Sequence, residues 1–515
     1  MKKLALISVS DKTNIDTLAA ELVSRGFSII STGGTAKFLI SRGIKNIPIS
    51  EFTKFEEILE GRVKTLHPTI HAGILAKSRQ DLDDLGDNGY SLIDMVVVNL
   101  YPFEKTISKK GCNLQTAIEN IDIGGPTLLR AAAKNHQRVT VLTDPADYKS
   151  VLDEIDRDGE VKLSTRRKLA TKVFSKISKY DSLISSYLDR TENKSNILMN
   201  NTVSIDGGEI AQLRYGENPH QKAKLYQVKR PNLTKFDYEQ LSGKELSFNN
   251  LVDTESAFSC IEQFSEPSCV IVKHANPCGV ASALTLRNAY ADAYKTDPTS
   301  AFGGIIAFNK KVDYRLVEKI ISRQFLEVIA APSFDAKSLD VIKKKPNIRM
   351  LKIKLRKKSE PIFETKLLRD KLLVQEKDEK LITKKHLTVV TQKKPTAKQF
   401  EDMLFAFKVS RYVKSNCIVF VKNKKTLAIG AGQMSRIDST NIAFVKSKKE
   451  KISLKGSIMA SEAFFPFRDN VDLAKKIGVV AIIQPGGSLS DNEIIHAADK
   501  NKLAMCFSHV RVFKH

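Results

Sequence analysis

Short apolar runs alternate with stretches of helical spacing through the first 190 residues, and nothing else in the chain restricts its fold as strongly. Leu4–Val9 is an apolar strand, Asn14–Ser24 repeats at helical spacing, and Phe27–Ile30 is a second strand. Gly33-Gly34 turns into a helix near Thr35–Ser41, Met95–Leu100 and Val139–Leu142 read as buried strands, and Lys162–Leu188 as a long helix. Such alternation implies α/β architecture, a doubly wound parallel sheet with helices on both faces. The polar stretch Thr191–Asn196 ends this part, so residues 1–197 are taken as the first domain.

The remainder also mixes the two element types. Strands are expected at 268–272, 304–308, 417–421 and 478–483, and helices at 284–295, 396–410 and 491–500. The lysine-rich, poorly periodic stretch 343–395 splits it into 203–380 and 381–515, and no short repeat is visible.

A chain of 515 residues exceeds one ordinary domain. It has no run of about 18 apolar residues, and the N-terminus turns polar too soon for a signal peptide. Six cysteines without paired spacing suit reduced thiols in a cytosol, so a cytoplasmic protein with no membrane partner is expected. The net charge of +25 raises nucleic acid as a partner, but much of the excess is lysine in runs such as Lys343–Lys345, with few aromatics to stack bases. A solvated basic face, or attraction of small polyanions, fits better than specific nucleic-acid binding.

Several segments carry chemistry. Ser8–Thr13 and Ser31–Thr35 each follow a strand and open a helix, where free amides, glycines, Lys12 and hydroxyls suit a phosphate. Gly61–Pro68 crowds Arg62, Lys64, Thr65 and His67 into one loop with His71 nearby; Pro68 argues against a regular helix joining the two histidines, and anion binding is favoured over metal. Tyr101 ends a strand, Asp122 precedes a Gly-Gly-Pro turn at a helix start, and Lys134 lies far along that helix. Farther on, Gln212–Gln221, Val272–Val280 ("VKHANPCGV"), Lys414–Cys417, Gly430–Arg436, Phe464–Asn470 and Gln484–Ser488 are dense in polar and turn residues.

Together the motifs SVSDKT, STGGTAK, GRVKTLHP, NLYPF, IDIGGPTLLRAAAKN, LRYGENPHQ, KHANPCGVA, GAGQMSR and FFPFRDN, in that order, resemble one family. It is the bifunctional purine-synthesis enzyme that joins an aminoimidazole-carboxamide ribonucleotide (AICAR) formyltransferase to an inosine monophosphate cyclohydrolase. The resemblance implies a methylglyoxal-synthase-like N-terminal domain and two cytidine-deaminase-like α/β subdomains behind it. No zinc is implied: Pro277-Cys278 lacks the second Cys and His274 lacks the Glu of the zinc deaminases.

The resemblance further implies formyl transfer from 10-formyltetrahydrofolate to AICAR, then ring closure with loss of water to inosine monophosphate. The acceptor amine is delocalised into its ring and needs a base. His274 suits that role, with Lys273 for the developing charge and Asn416 to orient the formyl group. Arg214, Tyr215, Gly303, Glu327, Phe464 and Arg511 are expected around the nucleotide, and Arg436, Asp469 and Ser488 around the folate. Ser10, Lys12, Thr32, Gly33, Gly34 and Thr35 would hold the phosphate of the second site. Arg62, Lys64, Thr65, Tyr101, Asp122 and Lys134 would surround the closing ring, with no metal and no further cofactor.

The same resemblance implies a homodimer with shared transferase sites. The chain departs from the family at Asp370-Lys371, where Gly-Gly is familiar, in its tail Ser508–His515, and at Glu327, where some members have Asp. Two rival readings are that one activity alone survives and that the protein is a basic nucleic-acid binder.

Overall fold

The computed structural model describes residues 3–84, 90–193, 205, 207–228, 236–355 and 363–515. They fall into two compact units, Met1–Ser204 and Ile205–His515. In the first, strands β1 (Lys3–Val9), β2 (Phe27–Ser31), β3 (Ile47–Pro48), β4 (Met95–Asn99) and β5 (Thr140–Leu142) form one sheet in the order β3-β2-β1-β4-β5. Every pairing is parallel. Ala5, Leu6 and Ile7 on β1 and Val96, Val97 and Val98 on β4 are all buried, so these strands read as unbroken apolar runs. The winding reverses between β1 and β4. Ligands of open α/β sheets bind outside the carboxyl ends of the strands at such a reversal.

Two local expectations change. Pro68 does not disrupt a helix but opens one, Pro68–Leu75, because a first-position proline gives up only an amide with no helical partner. Gly33 and Gly34 do not precede their helix but begin it, Gly33–Ser41. The long helix spans Leu163–Asn193, which takes in the start of the polar break. The rest of that break and the boundary at 197–203 lie outside the described residues.

The second unit contains β6 (Gly207–Leu213), β7 (Ala223–Val228), β8 (Tyr238–Ser242), β9 (Ser268–Lys273), β10 (Asn276–Ser282), β11 (Gly304–Phe308), β12 (Leu326–Ala331), β13 (Arg349–Ile353), β14 (Phe363–Leu368), β15 (Lys371–Glu376), β16 (Thr388–Val389), β17 (Ile418–Val421), β18 (Thr426–Gly430), β19 (Ile458–Ser461), β20 (Ala481–Gln484) and β21 (Ala504–Phe507). One six-stranded sheet has the order β10-β9-β11-β12-β13-β8 and another the order β18-β17-β19-β20-β21-β16. The two agree pair for pair: antiparallel, antiparallel, parallel, parallel, antiparallel. The second unit is thus a structural duplication, although no short repeat is visible in the sequence. One buried cluster joins the halves, with Val270, Ile305 and Val328 on one sheet and Val419, Ala460 and Ile483 on the other.

The lysine-rich divider is more ordered than its composition suggests. It contributes β13, whose Met350 and Leu351 are both fully buried, and the hairpin β14–β15. A short strand buried on both faces leaves no alternation to read among flanking lysines. The unusual Asp370 lies in that hairpin's turn beside Arg369, at φ 54°. The strand expected at 478–483 starts only at Ala481, because Gly478 ends the helix Asp469–Ile477 at φ 92°.

Two strand glycines let helices lie against the sheets. A Cβ at Gly279 would strike the carbonyl of Ala293, and one at Gly430 the carbonyl of Ser439. Gly279→Ala and Gly430→Ala should each cost about 1–3 kcal/mol, read as a lowered urea midpoint of the second unit's unfolding.

Candidate active sites

The switch point of the first unit gathers its polar loops. Asn99, at the end of β4, accepts the amides of Ser10 and Asp11 through Oδ1 at 2.6 and 2.9 Å and returns Nδ2 to the Asp11 carbonyl at 2.8 Å. Sequence reading quoted Asn99 without giving it a role; its signal is a buried amide closing an apolar strand. The Lys12 ammonium donates to the Val9 carbonyl and to Thr35 Oγ1. Burial pushes Lys12 down, and the charge of Asp11 offsets this only in part. Thr32 and Thr35 are buried, with Thr32 Oγ1 2.8 Å from Ser8 Oγ.

Across the loop, the helix Gly33–Ser41 has no side-chain cap on its first amides. A Cβ at Gly33 or Gly34 would meet nothing within 4 Å. Helical glycine costs about 1 kcal/mol against alanine, so neither packing nor helix stability explains the pair. Uncapped helix amides beside open space have the geometry that suits an anion.

A second group stands at the end of β4 and the start of the helix Gly124–Lys134. Asp122 accepts the Gly125 amide at 2.8 Å and the Tyr101 amide at 3.3 Å, and its own amide donates to Tyr180 Oη at 2.8 Å. Burial pushes its carboxyl up, against those two amides and the charge of Lys64. The Tyr101 phenol is also raised, by burial and then by Asp122. The two glycines are required: a Cβ on Gly124 would sit 2.6 Å from Thr65 Oγ1, and one on Gly125 would strike the Asp122 carboxylate. Lys64, Thr65, Tyr101 and Asp122 are therefore neighbours.

Arg62 is paired with Glu119 at 2.6 Å. Both side chains are exposed, so the pair contributes at most about 1 kcal/mol and can yield to a stronger anion. His67 caps its helix by accepting the Thr69 amide, and burial pushes His71 down. Lys134 is not brought to this group: it ends the helix, about 15 Å of rise from Gly124.

In the second unit β9 ends at Lys273, and His274 and Ala275 follow at φ 57° each before β10 begins. His274 is exposed. Lys273 Nζ donates to the Phe302 carbonyl at 2.7 Å, beside Gly303 at φ 73°. The Asp253 carboxylate, which sequence reading missed, accepts the amides of His274 and Ala275 at 3.3 and 2.7 Å. Arg214 lies over the Tyr215 ring at 5.5 Å, and the loop after them is tied to the Asp253 helix by Asn249 Nδ2 on the Glu217 carbonyl. Glu327 is held by Arg349, a partner the sequence does not reveal.

The other wall is the edge of the second sheet where β18 to β21 end and β17 begins. It reaches the first through Asn276 Oδ1, which accepts the Lys414 amide at 2.8 Å. Asn416 spends both amide hydrogens on the carbonyls of Gln433 and Met434, at 3.0 and 2.9 Å, and its oxygen accepts Arg436. Arg436 is buried, pairs with fully buried Glu462 at 2.9 Å and donates to the Phe464 carbonyl. Asn416 has both amide hydrogens engaged, whereas the Arg436 Nε–H is buried without a hydrogen-bond partner. Asp469 starts the helix after β19, and Ser488 sits in the turn after β20, its Oγ accepting the Ser490 amide. Arg511 is exposed over Phe513 on a tail pinned by the Val512 amide to the Glu462 carbonyl.

The chain thus joins a parallel α/β unit, with uncapped helix amides and Lys12 at its switch point, to a duplicated α/β unit with an exposed imidazole and an ammonium at a strand end. Residues 132–446 match the AICARFT/IMPCHase bienzyme family and residues 14–127 the MGS-like domain. The first match spans more than half of the chain, and the chain belongs to the AICARFT/IMPCHase bienzyme family. It is an enzyme of purine biosynthesis, a formyltransferase and a cyclohydrolase. A solved chain titled "Crystal structure of ForH" is 34% identical over 36% of this chain and 98% of its own, with a TM-score of 0.33.

The Arg436–Glu462 pair makes a stability test. Removing one member of a buried pair strands the other, so Glu462→Ala should cost about 3–5 kcal/mol by denaturant unfolding, and Glu462→Ala with Arg436→Met much less than the sum of the two.

Proposed function

We propose that formyl transfer takes place at the end of β9, with His274 as the base. The carrying observation is an exposed imidazole on an anchored left-handed turn, next to an ammonium and two residues from Asn276, which bonds the Lys414 amide of the second sheet's edge. In this reading the AICAR amine attacks the formyl carbon of 10-formyltetrahydrofolate and His274 accepts the amine proton. Lys273, one hydrogen bonded to Phe302 and the others free, stabilises the oxyanion. Collapse expels the folate nitrogen, which regains a proton.

Arg214, Tyr215, Gly303, Glu327, Phe464 and Arg511 form the proposed nucleotide wall, and Asp469 and Ser488 the folate wall. Asn416 holds that edge in shape as a positioning residue, its amide hydrogens being engaged, and Arg436, paired with Glu462 but with Nε unpartnered, stays with the folate wall.

Ring closure belongs to the first unit. Ser10, Lys12, Gly33, Gly34, Thr32 and Thr35 would receive the phosphate, with Arg62 released from Glu119 as a further cation. The carboxamide nitrogen attacks the formyl carbon and water leaves. Lys64 and Tyr101 serve the oxygen, and Asp122, raised by burial, carries the proton. Lys134 is left out of this set because of its distance along the helix.

The two sites make opposite predictions. His274→Ala should lower transferase kcat by about 100- to 10,000-fold and leave cyclisation of formyl-AICAR intact, while Lys64→Ala should do the reverse. Loss of both activities in either variant, or of neither, would sink the assignment.

The proposed setting is the cytosol, which suits six free cysteines, four of them buried. The proposed assembly is a homodimer. The hairpin β14–β15 supports it by leaving Leu367 72% and Leu373 54% exposed, apolar surface that a second copy would cover. Light scattering should give twice the chain mass.

A further inference from the structure

The duplication supplies an internal control for a side chain with no assigned role. Asp253 is the sixth residue of the helix Phe248–Ile261, and Asp402 the sixth of the helix Ala397–Ser410. Asp402 accepts the amides of Asn423 and Lys424 at 2.9 and 2.7 Å, as Asp253 accepts those of His274 and Ala275. Asn423 and Lys424 are also left-handed, at φ 56° and 53°. The lysine before each turn matches as well. Lys273 donates to the carbonyl of Phe302, just before Gly303 at φ 73°, and Lys422 to the carbonyl of Lys455, just before Gly456 at φ 77°. Position for position, His274 answers to Asn423 and Ala275 to Lys424.

We infer that Asp253 is the positioning residue of the transferase base: its carboxylate fixes the left-handed pair His274-Ala275 and so aims the imidazole, while Asp402 does the same backbone work for a turn without chemistry. This rests on the reading that His274 accepts the amine proton. Geometry favours a positioning role over a catalytic one, because both carboxylate oxygens are occupied by backbone amides. Two left-handed residues carrying side chains do not hold that conformation unaided. With the acceptor gone, residue 274 can relax and move its ring away from the substrate.

The test is a panel of full-length variants, assayed for both activities and for urea unfolding. Asp253→Asn keeps the size but withdraws the charge and one acceptor. Its transferase kcat should fall on the order of 10- to 100-fold with KM for AICAR changed by less than about threefold, the pattern of a misaimed group rather than lost binding. Asp402→Asn should lower the urea midpoint by a similar amount yet leave kcat within about twofold, being far from the chemistry. Cyclohydrolase activity, housed in the other unit, should be unchanged in both.

If Asp402→Asn lowers kcat as far as Asp253→Asn does, the carboxylate is merely structural and the inference is overturned. It is also overturned if Asp253→Asn keeps wild-type kcat while His274→Ala has lost it. Transfer retained in His274→Ala would instead overturn the reading beneath it. Should Asp253→Asn not fold, the substitution is repeated over Ala275→Gly, since glycine takes positive φ freely, and compared with Ala275→Gly alone.

Discussion

A chain that reverses through two consecutive left-handed residues leaves two amides aimed the same way, and the second unit answers both with one carboxylate, twice. Left-handed residues with side chains cost about 1–2 kcal/mol each, so each turn costs roughly 2–4 kcal/mol. Hydrogen bonds to a charged group give back about 1.5–3 kcal/mol apiece, enough to hold it. Burial pushes the Asp253 carboxyl up, while the amides of Ala275 and His274 and the charges of His274 and Lys414 oppose that rise. The turn decides where β9 hands over to β10, and with it where the imidazole stands relative to the second sheet.

The elements that sequence shows best are those whose pattern is local. β1, β4, β9, β11 and the helix Ala397–Ser410 fall within a residue or two of their expected places, because apolar runs and capping residues are contiguous. The candidate residues at strand ends were legible for the same reason, as breaks after apolar runs. What the sequence hides is partnership at a distance. Asp253 meets its amides 21 and 22 positions away, and as one acid in a mixed helix it carries no mark of that role. Glu462 and Arg349 are equally silent, and so is the engagement of Asn416, whose amide looks free until Gln433 and Met434 fold across it. The duplication was expected from the family resemblance alone and leaves no repeat to read, because it preserves pairing and turn geometry rather than residue identity.

The buried Arg436–Glu462 pair explains how a loop-built edge keeps its shape. Glu462 is fully buried and accepts from both Arg436 and Ser415 Oγ, the latter at 2.7 Å. Arg436 also reaches Asn416 and the Phe464 carbonyl. One ion pair therefore ties the loops before β17 and after β19 to the helix Arg436–Lys449. A buried pair adds little net stability over well-packed apolar groups, but it is satisfied in one geometry only. At an edge built from loops, where Phe464 and the Arg511 tail lie beside two turns, that selectivity matters more than the energy.

Duplication should create two composite clefts, each using one sheet's turn and the other sheet's strand ends. β10 and β18 meet, with a bridge between Ala281 and Lys425. The cleft at Asn423-Lys424 has a volume of about 470 Å³ and is lined by Glu266, Glu401, Asp402, Lys398 and Ser282 among others. Lys424 is engaged there by Glu266 at 2.7 Å and Glu401 at 3.3 Å, which also keeps its ammonium charged by raising its pKa. A phosphate entering would displace carboxylates that already satisfy the cation, and Asn423, which stands where the other turn has His274, offers no proton acceptor of imidazole strength. The corresponding turn at His274 has an imidazole, an ammonium and Lys414 near a single carboxylate that backbone amides already occupy. Fold symmetry thus built both turns alike, and the difference between them lies in which charges were left unpaired.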